Sequence, residues 1–260
     1  MSHYTFGDND AAADRLALLA RAYEPSSERV LATIPFASRP RAADLGCGPG
    51  YTTRLLHRAT GARETWGLDA SERLVARARA QLAGDAAIVF AVHDVTASPY
   101  PTAGIDFFYA RYLFTHLGSP RAALDASAAA AAPGARMLIE DNCALLSDDS
   151  LFRDYYERVR MMHAHYGQDM FVGERIPQAV AGSPWTLTRF DRTPITLDGR
   201  LMARLHAINV RTWRNDPFAA ATFESAAIDA MTRELDAVVS GTRPTTPVTC
   251  IMAQGLLRLD

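Results

Sequence analysis

Residues 42–53 read AADLGCGPGYTT. A short apolar strand there ends in a carboxylate, Asp44, and glycines follow at 46, 48 and 50. A strand, a glycine turn and a helix start aim backbone N–H groups at a ligand, and glycines let it approach with no Cβ in the way. Nucleotide-phosphate and dinucleotide sites share that plan, and two details separate the cases. A dinucleotide fingerprint puts Gly or Ala three residues after its second glycine, where this chain has Tyr51. A P-loop needs Lys before Ser or Thr, and the chain has no lysine: all 27 basic residues are arginine. The same lack removes Schiff-base and lysine general-base chemistry. Asp44 sits badly beside a pyrophosphate and well beside a cationic ligand.

S-adenosylmethionine carries an ammonium and a sulfonium and no phosphate, which suits such a turn. DLGCGPG resembles the first motif of the class I S-adenosylmethionine-dependent methyltransferases, of the small-molecule, secondary-metabolism type. The core resemblance covers residues 41–141, and a looser similarity runs through GERIPQAV (173–180) to the end. It implies S-adenosylmethionine as cofactor, with Gly46, Cys47, Gly48 and Gly50 cradling it. Asp44 and the Gly46 carbonyl region then hold the methionyl ammonium; the alternative for Asp44 is to satisfy N–H groups of the turn. Asp69, followed by Ala70, closes the second strand, where a carboxylate can accept from both ribose hydroxyls. Its alternative is a cap on the helix beginning near Ser71. Asp94 resembles the acid that takes the adenine amino group, with the Val95 N–H facing the ring; an ordinary turn residue is the alternative.

Beyond the fourth strand, YARYLFTHLGSP resembles the segment lining the mouth between cofactor and substrate. Arg111 is expected to hold the cofactor's carboxylate or an acidic substrate, and Tyr112 to face the acceptor. His116 is the general-base candidate, since histidine titrates near neutrality; a helix-start histidine bonded to backbone is the alternative. As the base for a hydroxyl or protonated amine, its loss would lower turnover by ~10²–10⁴. Asp141, in EDNCAL after the fifth strand, and His163, on a long helix roofing the cavity, are further substrate-side candidates. The rest of EDNCAL is expected to cap the next helix. His163 and His165 stand about 200° apart around that helix and cannot face one pocket. Tyr4 and Phe6, ahead of an amphipathic helix carrying Leu16, Leu19 and Tyr23, are read as a lid over the cofactor, with core packing as the alternative. No His, Asp and Glu set has ligand spacing, so no metal is expected.

The elements that must position these residues alternate strand and helix. Strands are expected at 41–45, 65–69, 86–92, 105–110 and 135–140, with helices at 51–59, 71–84 and 120–132 between them. After residue 147 come a long helix, a strand WTLTRFDRTPITL, helices over 199–214 and 217–240, and a closing strand TPVTCIMAQGLLRL. The pattern predicts an α/β parallel sheet covered by helices on both faces, and the resemblance implies the Rossmann-like class I methyltransferase fold with a mostly parallel seven-stranded sheet. One domain is expected over 1–260, with an N-terminal helical lid (1–36), a cofactor-binding core (41–141), a helical insertion (147–182) and C-terminal helices and strands (183–260).

Composition narrows the function classes. A net charge of −2 offers no basic surface for nucleic acid. No apolar run approaches the ~20 residues of a membrane span, and MSHYTFGDNDAAADR is too acidic and polar for a signal peptide. Cysteines 47, 143 and 250 fit free thiols in a reducing cytoplasm. The expected partner is a small-molecule substrate, with neither nucleic acid nor membrane involved, and a homodimer is left open. The expected activity is methyl transfer to a small-molecule acceptor, through O, N or C. The alternatives are other chemistry on the same fold, such as cyclisation, elimination or hydrolysis, and a catalytically silent partner subunit.

Overall fold

The computed structural model describes residues 10–259, with side chains from residue 14. The apolar runs form one sheet ordered β3-β2-β1-β4-β5-β7-β6. The strands are β1 (Arg41–Leu45), β2 (Glu64–Asp69), β3 (Ile88–Val92), β4 (Ile105–Arg111), β5 (Ala131–Leu146), β6 (Trp185–Leu197) and β7 (Val248–Leu259). β1 to β5 pair in parallel, whereas β7 runs antiparallel to both β5 and β6. Successive strand side chains point to opposite faces. Ala43, Leu45, Phe108 and Ala110 therefore join one core, and Ala42, Phe107 and Tyr109 the other. Burial on both faces explains the near-continuous apolar runs, and the expected seven-stranded, mostly parallel Rossmann-like α/β fold is what forms.

Helices cover both faces. α1 (Asp10–Leu31) and α2 (Tyr51–Thr60) close the Ala42 side through Val30, Leu31, Leu55 and Leu56. α3 (Glu72–Gln81) starts at Ser71, whose hydroxyl accepts from the Leu74 N–H. α4 (Pro120–Ala130) and the short α6 (Ile176–Val180) close the other side. A further helical layer joins α5 (Ser150–His165), α7 (Gly199–Trp213), α8 (Pro217–Thr222) and α9 (Ser225–Ser240) around Phe152, Tyr155, Met162, Val210, Trp213 and Leu235. α5 buries Phe152, Tyr155, Tyr156, Val159, Met162 and His163 at helical spacing. Each large apolar side chain there contributes roughly 1.5–3 kcal/mol. The exposed Arg158–Asp154 pair on the same helix adds only about 0.3–0.5 kcal/mol, so the buried stripe seats the helix.

Two stretches differ from the sequence reading. β5 runs on through Asp141–Leu146 instead of ending at 140. The polar residues expected to cap the next helix lie inside the strand, and α5 is capped by Asp149, which accepts from Leu151 and is paired with Arg243. The stretch 217–240 is broken at Phe223–Glu224 into α8 and α9. Asp216, capping α8, and Pro217 at its first position set its start.

Candidate functional site

Strand order reverses between β1 and β4, and ligands of open α/β sheets bind at the carboxyl edge of that switch point. A cavity of about 420 Å³ lies there. Its floor is the glycine turn after β1, pinned to β2 by the Gly46 and Cys47 N–H groups, which donate to the Leu68 carbonyl. Gly46, Cys47 and Gly48 line the cavity. Gly48 has φ +51°, and a Cβ there would meet only Leu16 of α1, at 3.6 Å. The cradle is thus bare backbone toward the cavity, with α1 across it.

Asp69 locks this turn. Its Oδ2 accepts from the Gly48 N–H at 2.8 Å and its Oδ1 from the Ser71 N–H at 2.9 Å. A carboxylate has about four lone-pair sites, so these two hydrogen bonds do not by themselves bar ligand hydroxyls. The ribose role expected of Asp69 is compatible with its hold on the turn, while the helix cap that was its alternative is supplied by Ser71. Ala70 lines the same wall. Asp94 also faces the cavity; its Oδ1 accepts from the Thr96 N–H and hydroxyl, which hold its pKa below the usual carboxylate range. Val95 beside it is buried, and its carbonyl accepts from the Tyr100 hydroxyl.

Asp44 is placed otherwise than expected. It is 1% exposed, behind the turn and not among the lining residues. Its Oδ2 accepts from the Thr52 and Thr53 hydroxyls, while its buried Oδ1 has no hydrogen-bond partner among the described residues. Burial pushes its carboxyl up to about 7, against the Thr53 and Thr52 hydroxyls and the Arg111 charge. An acid raised in this way destabilises the fold increasingly as pH climbs from its ordinary value, 3.8, to about 7. Asp44→Asn removes that penalty, so the unfolding temperature of the ligand-free protein should rise more at pH 8 than at pH 5. The same variant should bind S-adenosylmethionine more weakly, with a smaller loss for 5′-methylthioadenosine, which lacks the amino-acid tail. Equal losses would show that Asp44 supports the loop alone. Gly50, with φ +88° at the start of α2, shapes the turn but also lies off the cavity.

The opposite wall comes from β4 and the 3₁₀ turn Phe114–His116. Arg111, Tyr112 and His116 line it. Arg111 is buried and donates to the Ser27 hydroxyl; burial opposes its charge, but Tyr109, Glu140 and Asp44 more than restore it. Tyr112 has φ +55°, a conformation costing about 1–3 kcal/mol for such a residue. Its N–H donates to the Glu140 carbonyl, its hydroxyl donates to Asn142 Oδ1 at 2.9 Å, and Tyr23 meets its ring edge-on at 5.0 Å. These contacts hold the strained residue at the cavity wall.

His116 is half-buried, and its ring lies 5.6 Å from that of His163. Burial, His163 and Arg15 drive its pKa well below the ordinary value, opposed by a hydrogen bond with the Gln168 side chain. Its imidazole is therefore neutral at working pH: always able to accept a proton, and weakly basic. Asp141 and His163 stand behind this wall instead of on it, which corrects their expected substrate role. Asp141 is fully buried, accepting from the Thr115 and Asn142 N–H groups, and so holds the turn that carries His116. Burial pushes its carboxyl up to about 7. His163, 3% exposed, belongs to the buried stripe of α5, and burial pushes its pKa down to about 4. His165 stacks on Phe218 at 4.2 Å, away from His163 as the helical spacing required. Tyr4 and Phe6 lie outside the described residues. Among the described residues, no group of three or more His, Cys, Asp or Glu is placed to hold a metal ion.

Lining residues absent from the sequence reading include Arg15, Thr52 and His93. Arg15 left a trace, a charge beside Leu16 and Leu19 on an amphipathic helix; His93 left only its place beside Asp94. The bare turn and the Asp69 and Asp94 carboxylates, which accept from hydroxyl and amino groups, fit a nucleoside with ribose hydroxyls.

A family profile described as Methyltransferase domain matches residues 10–178. The chain belongs to the class I S-adenosylmethionine-dependent methyltransferases. The trans-aconitate 2-methyltransferase of Paracidovorax citrulli is 34% identical over 116 residues, 44% of this methyltransferase chain and 43% of that protein. The chain thus aligns with less than half the length of that curated relative. A proposed methyltransferase of Bacillus halodurans C-125 superposes with TM-score 0.63 at 12% identity, over 90% of this chain and 98% of that one. The [4+2]-cyclase SpnF superposes with TM-score 0.57 at 15% identity, over 92% and 81%. These structural likenesses establish the methyltransferase fold. No helix among the described residues is long and apolar enough to cross a membrane.

Proposed function

We propose that this methyltransferase transfers the methyl of S-adenosylmethionine to a small-molecule acceptor in secondary metabolism, in the cytoplasm. One observation carries the reading. Asp69 both locks the glycine turn and borders the cavity, with the Tyr112–His116 wall opposite. The cofactor supplies an electrophilic methyl carbon on a sulfonium. Asp69 and Asp94 orient its nucleoside, Arg111 takes the carboxylate of its tail, and Asp44 acts on the ammonium only through its charge from behind the turn. Leu16, Leu19, Leu113 and Leu117 keep water from the cavity, and Tyr112 positions the acceptor. In the transfer, the acceptor's bond to carbon forms as the carbon–sulfur bond breaks, and the electron pair stays on sulfur. Three buried free cysteines support the cytoplasmic assignment.

Isothermal titration tests this reading. S-adenosylmethionine and S-adenosylhomocysteine should bind competitively, and absence of binding overturns it. The fold also carries a cyclase, so formation of S-adenosylhomocysteine during turnover separates transfer from cyclisation.

The neutral His116 changes the expected size of its effect. His116→Ala should lower the single-turnover rate about tenfold, as for a positioning contact, with an unaltered pH profile between about pH 6.5 and 8.5. A loss of ~10²–10⁴ with a changed profile would instead make His116 the proton acceptor.

A further inference from the structure

We infer a second ligand site, built for a phosphate group, in the recess between α1 and the β6–β7 edge of the sheet. The inference goes beyond the methyl-transfer reading and stands without it. The recess holds about 210 Å³ and shares no lining residue with the cofactor cavity. Ser26, Arg29 and the following Thr33 line it from the α1 side, Arg189 and Thr193 from β6, and Gln254 from β7. Ser26 is 3% exposed, and its buried Oγ has no hydrogen-bond partner among the described residues. Buried hydroxyls are almost always paired, so an orphaned one on the wall of a recess points to a ligand. Arg29, three residues on and so on the same side of α1, is exposed and makes no ion pair or hydrogen bond among the described residues. Arg189 is half-buried; its Nη1 donates to the Thr33 hydroxyl at 3.0 Å and its Nε lies 3.0 Å from Asp191 Oδ2. Its Nη2 makes no hydrogen bond among the described residues.

Two guanidinium groups and a hydroxyl thus border one recess from two elements, α1 and β6. Donors on two sides suit a tetrahedral phosphate better than a planar carboxylate, whose two oxygens a single fork satisfies. Asp191, also on the wall, is the opposing charge. Its side chain is exposed, and exposed ion pairs contribute little. A phosphate group carries about −1.5 to −2 near pH 7 and can take over the Arg189 guanidinium. The recess is also tied to the cofactor cavity by two hydrogen-bonded routes. Ser27, next to Ser26, accepts from Arg111 Nη1. Gln254 accepts from the Thr193 hydroxyl at 2.7 Å and donates to Glu140, which accepts in turn from the Tyr109 hydroxyl. A phosphate held between α1 and β6 steadies both routes, so it and the cofactor should favour each other's binding reciprocally.

Calorimetric titration of inorganic phosphate into the ligand-free protein, beside acetate and at constant ionic strength, tests the site. Phosphate should bind saturably, one per chain, and several times more tightly than acetate. Arg29→Gln should weaken it roughly tenfold and Ser26→Ala roughly fivefold. Ser26→Ala should melt no lower than wild type, because it deletes a buried hydroxyl that has no partner. Asp191→Asn should tighten phosphate about threefold, a gain that loosening of the fold does not produce. No saturable binding at millimolar phosphate, acetate binding as tight as phosphate, or phosphate affinity unmoved by these variants overturns the site. If Ser26→Ala does not fold, the exposed positions Arg29 and Asp191 decide the matter. With S-adenosylhomocysteine bound, phosphate should bind at least twice as tightly, and equal affinity overturns the link to the cofactor cavity. Failure of S-adenosylhomocysteine to bind would sink the methyl-transfer reading separately, because the titration on ligand-free protein still reports on the recess.

Discussion

Gly173→Ala should lower the unfolding temperature by roughly 2–12 °C and reduce turnover more than cofactor affinity. A Cβ at residue 173 would lie 2.6 Å from the Asn142 carbonyl oxygen, 2.7 Å from its carbon and 2.7 Å from the Asp141 carbonyl oxygen. All three are backbone atoms of β5, so no side chain can turn aside to make room. Overpacking of this kind costs about 1–3 kcal/mol. The displaced segment matters to the site as well. Asp141 holds the turn carrying His116, and Asn142 accepts from the strained Tyr112. Moving them loosens the acceptor wall and leaves the glycine turn after β1 in place. Scanning calorimetry, S-adenosylhomocysteine titration and single-turnover rates together check this. A variant with wild-type melting and rate would show that β5 yields at no cost.

Asp69→Ala should weaken S-adenosylhomocysteine binding by about 1–3 kcal/mol, roughly 5- to 150-fold. The substitution leaves ligand hydroxyls without an acceptor and also frees the Gly48 and Ser71 N–H groups that shape the cradle. Asp69→Asn keeps one acceptor oxygen in nearly the same shape and should lose less. Both variants should weaken 5′-methylthioadenosine as much as S-adenosylhomocysteine, because the two ligands share the ribose. That pattern separates Asp69 from Asp44, whose effect should follow the amino-acid tail. Unchanged affinity in a folded Asp69→Ala protein would remove the carboxylate from the site.

Much of the fold was legible because its signals are local. Parallel strands buried on both faces read as apolar runs, and Ser71, Ser119 and Pro120 mark helix starts without tertiary help. The extension of β5 was hidden because Glu140, Asp141 and Asn142 look like a loop. They are tolerated in a buried strand only because Gln254, the Thr115 N–H and the Tyr112 hydroxyl donate to them. Those partners lie 26 to 114 residues away, beyond the reach of any sequence window. The break before α9 was missed since FAAATFESAAI keeps helical composition across it.

The site divides along the same line. The glycine turn, Asp69 and Asp94 could be placed because each sits at a strand's carboxyl end, and strand ends were readable. Which way a side chain faces there was not. Asp44 turned under the loop and Asp141 under the 3₁₀ turn, and His163 entered the α5 core, each as packing required. Arg15 escaped notice because its position over the cavity depends on how α1 crosses the sheet.

The place of β7 has a consequence for the order of synthesis. Its residues, 248–259, occupy the gap between β5 and β6 and pair with both. At about 5–20 residues per second, β1 to β5 emerge from the ribosome well before β7. The nascent protein can therefore assemble its cofactor turn early, while β5 keeps a bare flank and β6 waits with no neighbour in the sheet. That interval is when the chain is most open to strand addition by another copy, and a ribosome stalled between residues 197 and 248 would prolong it.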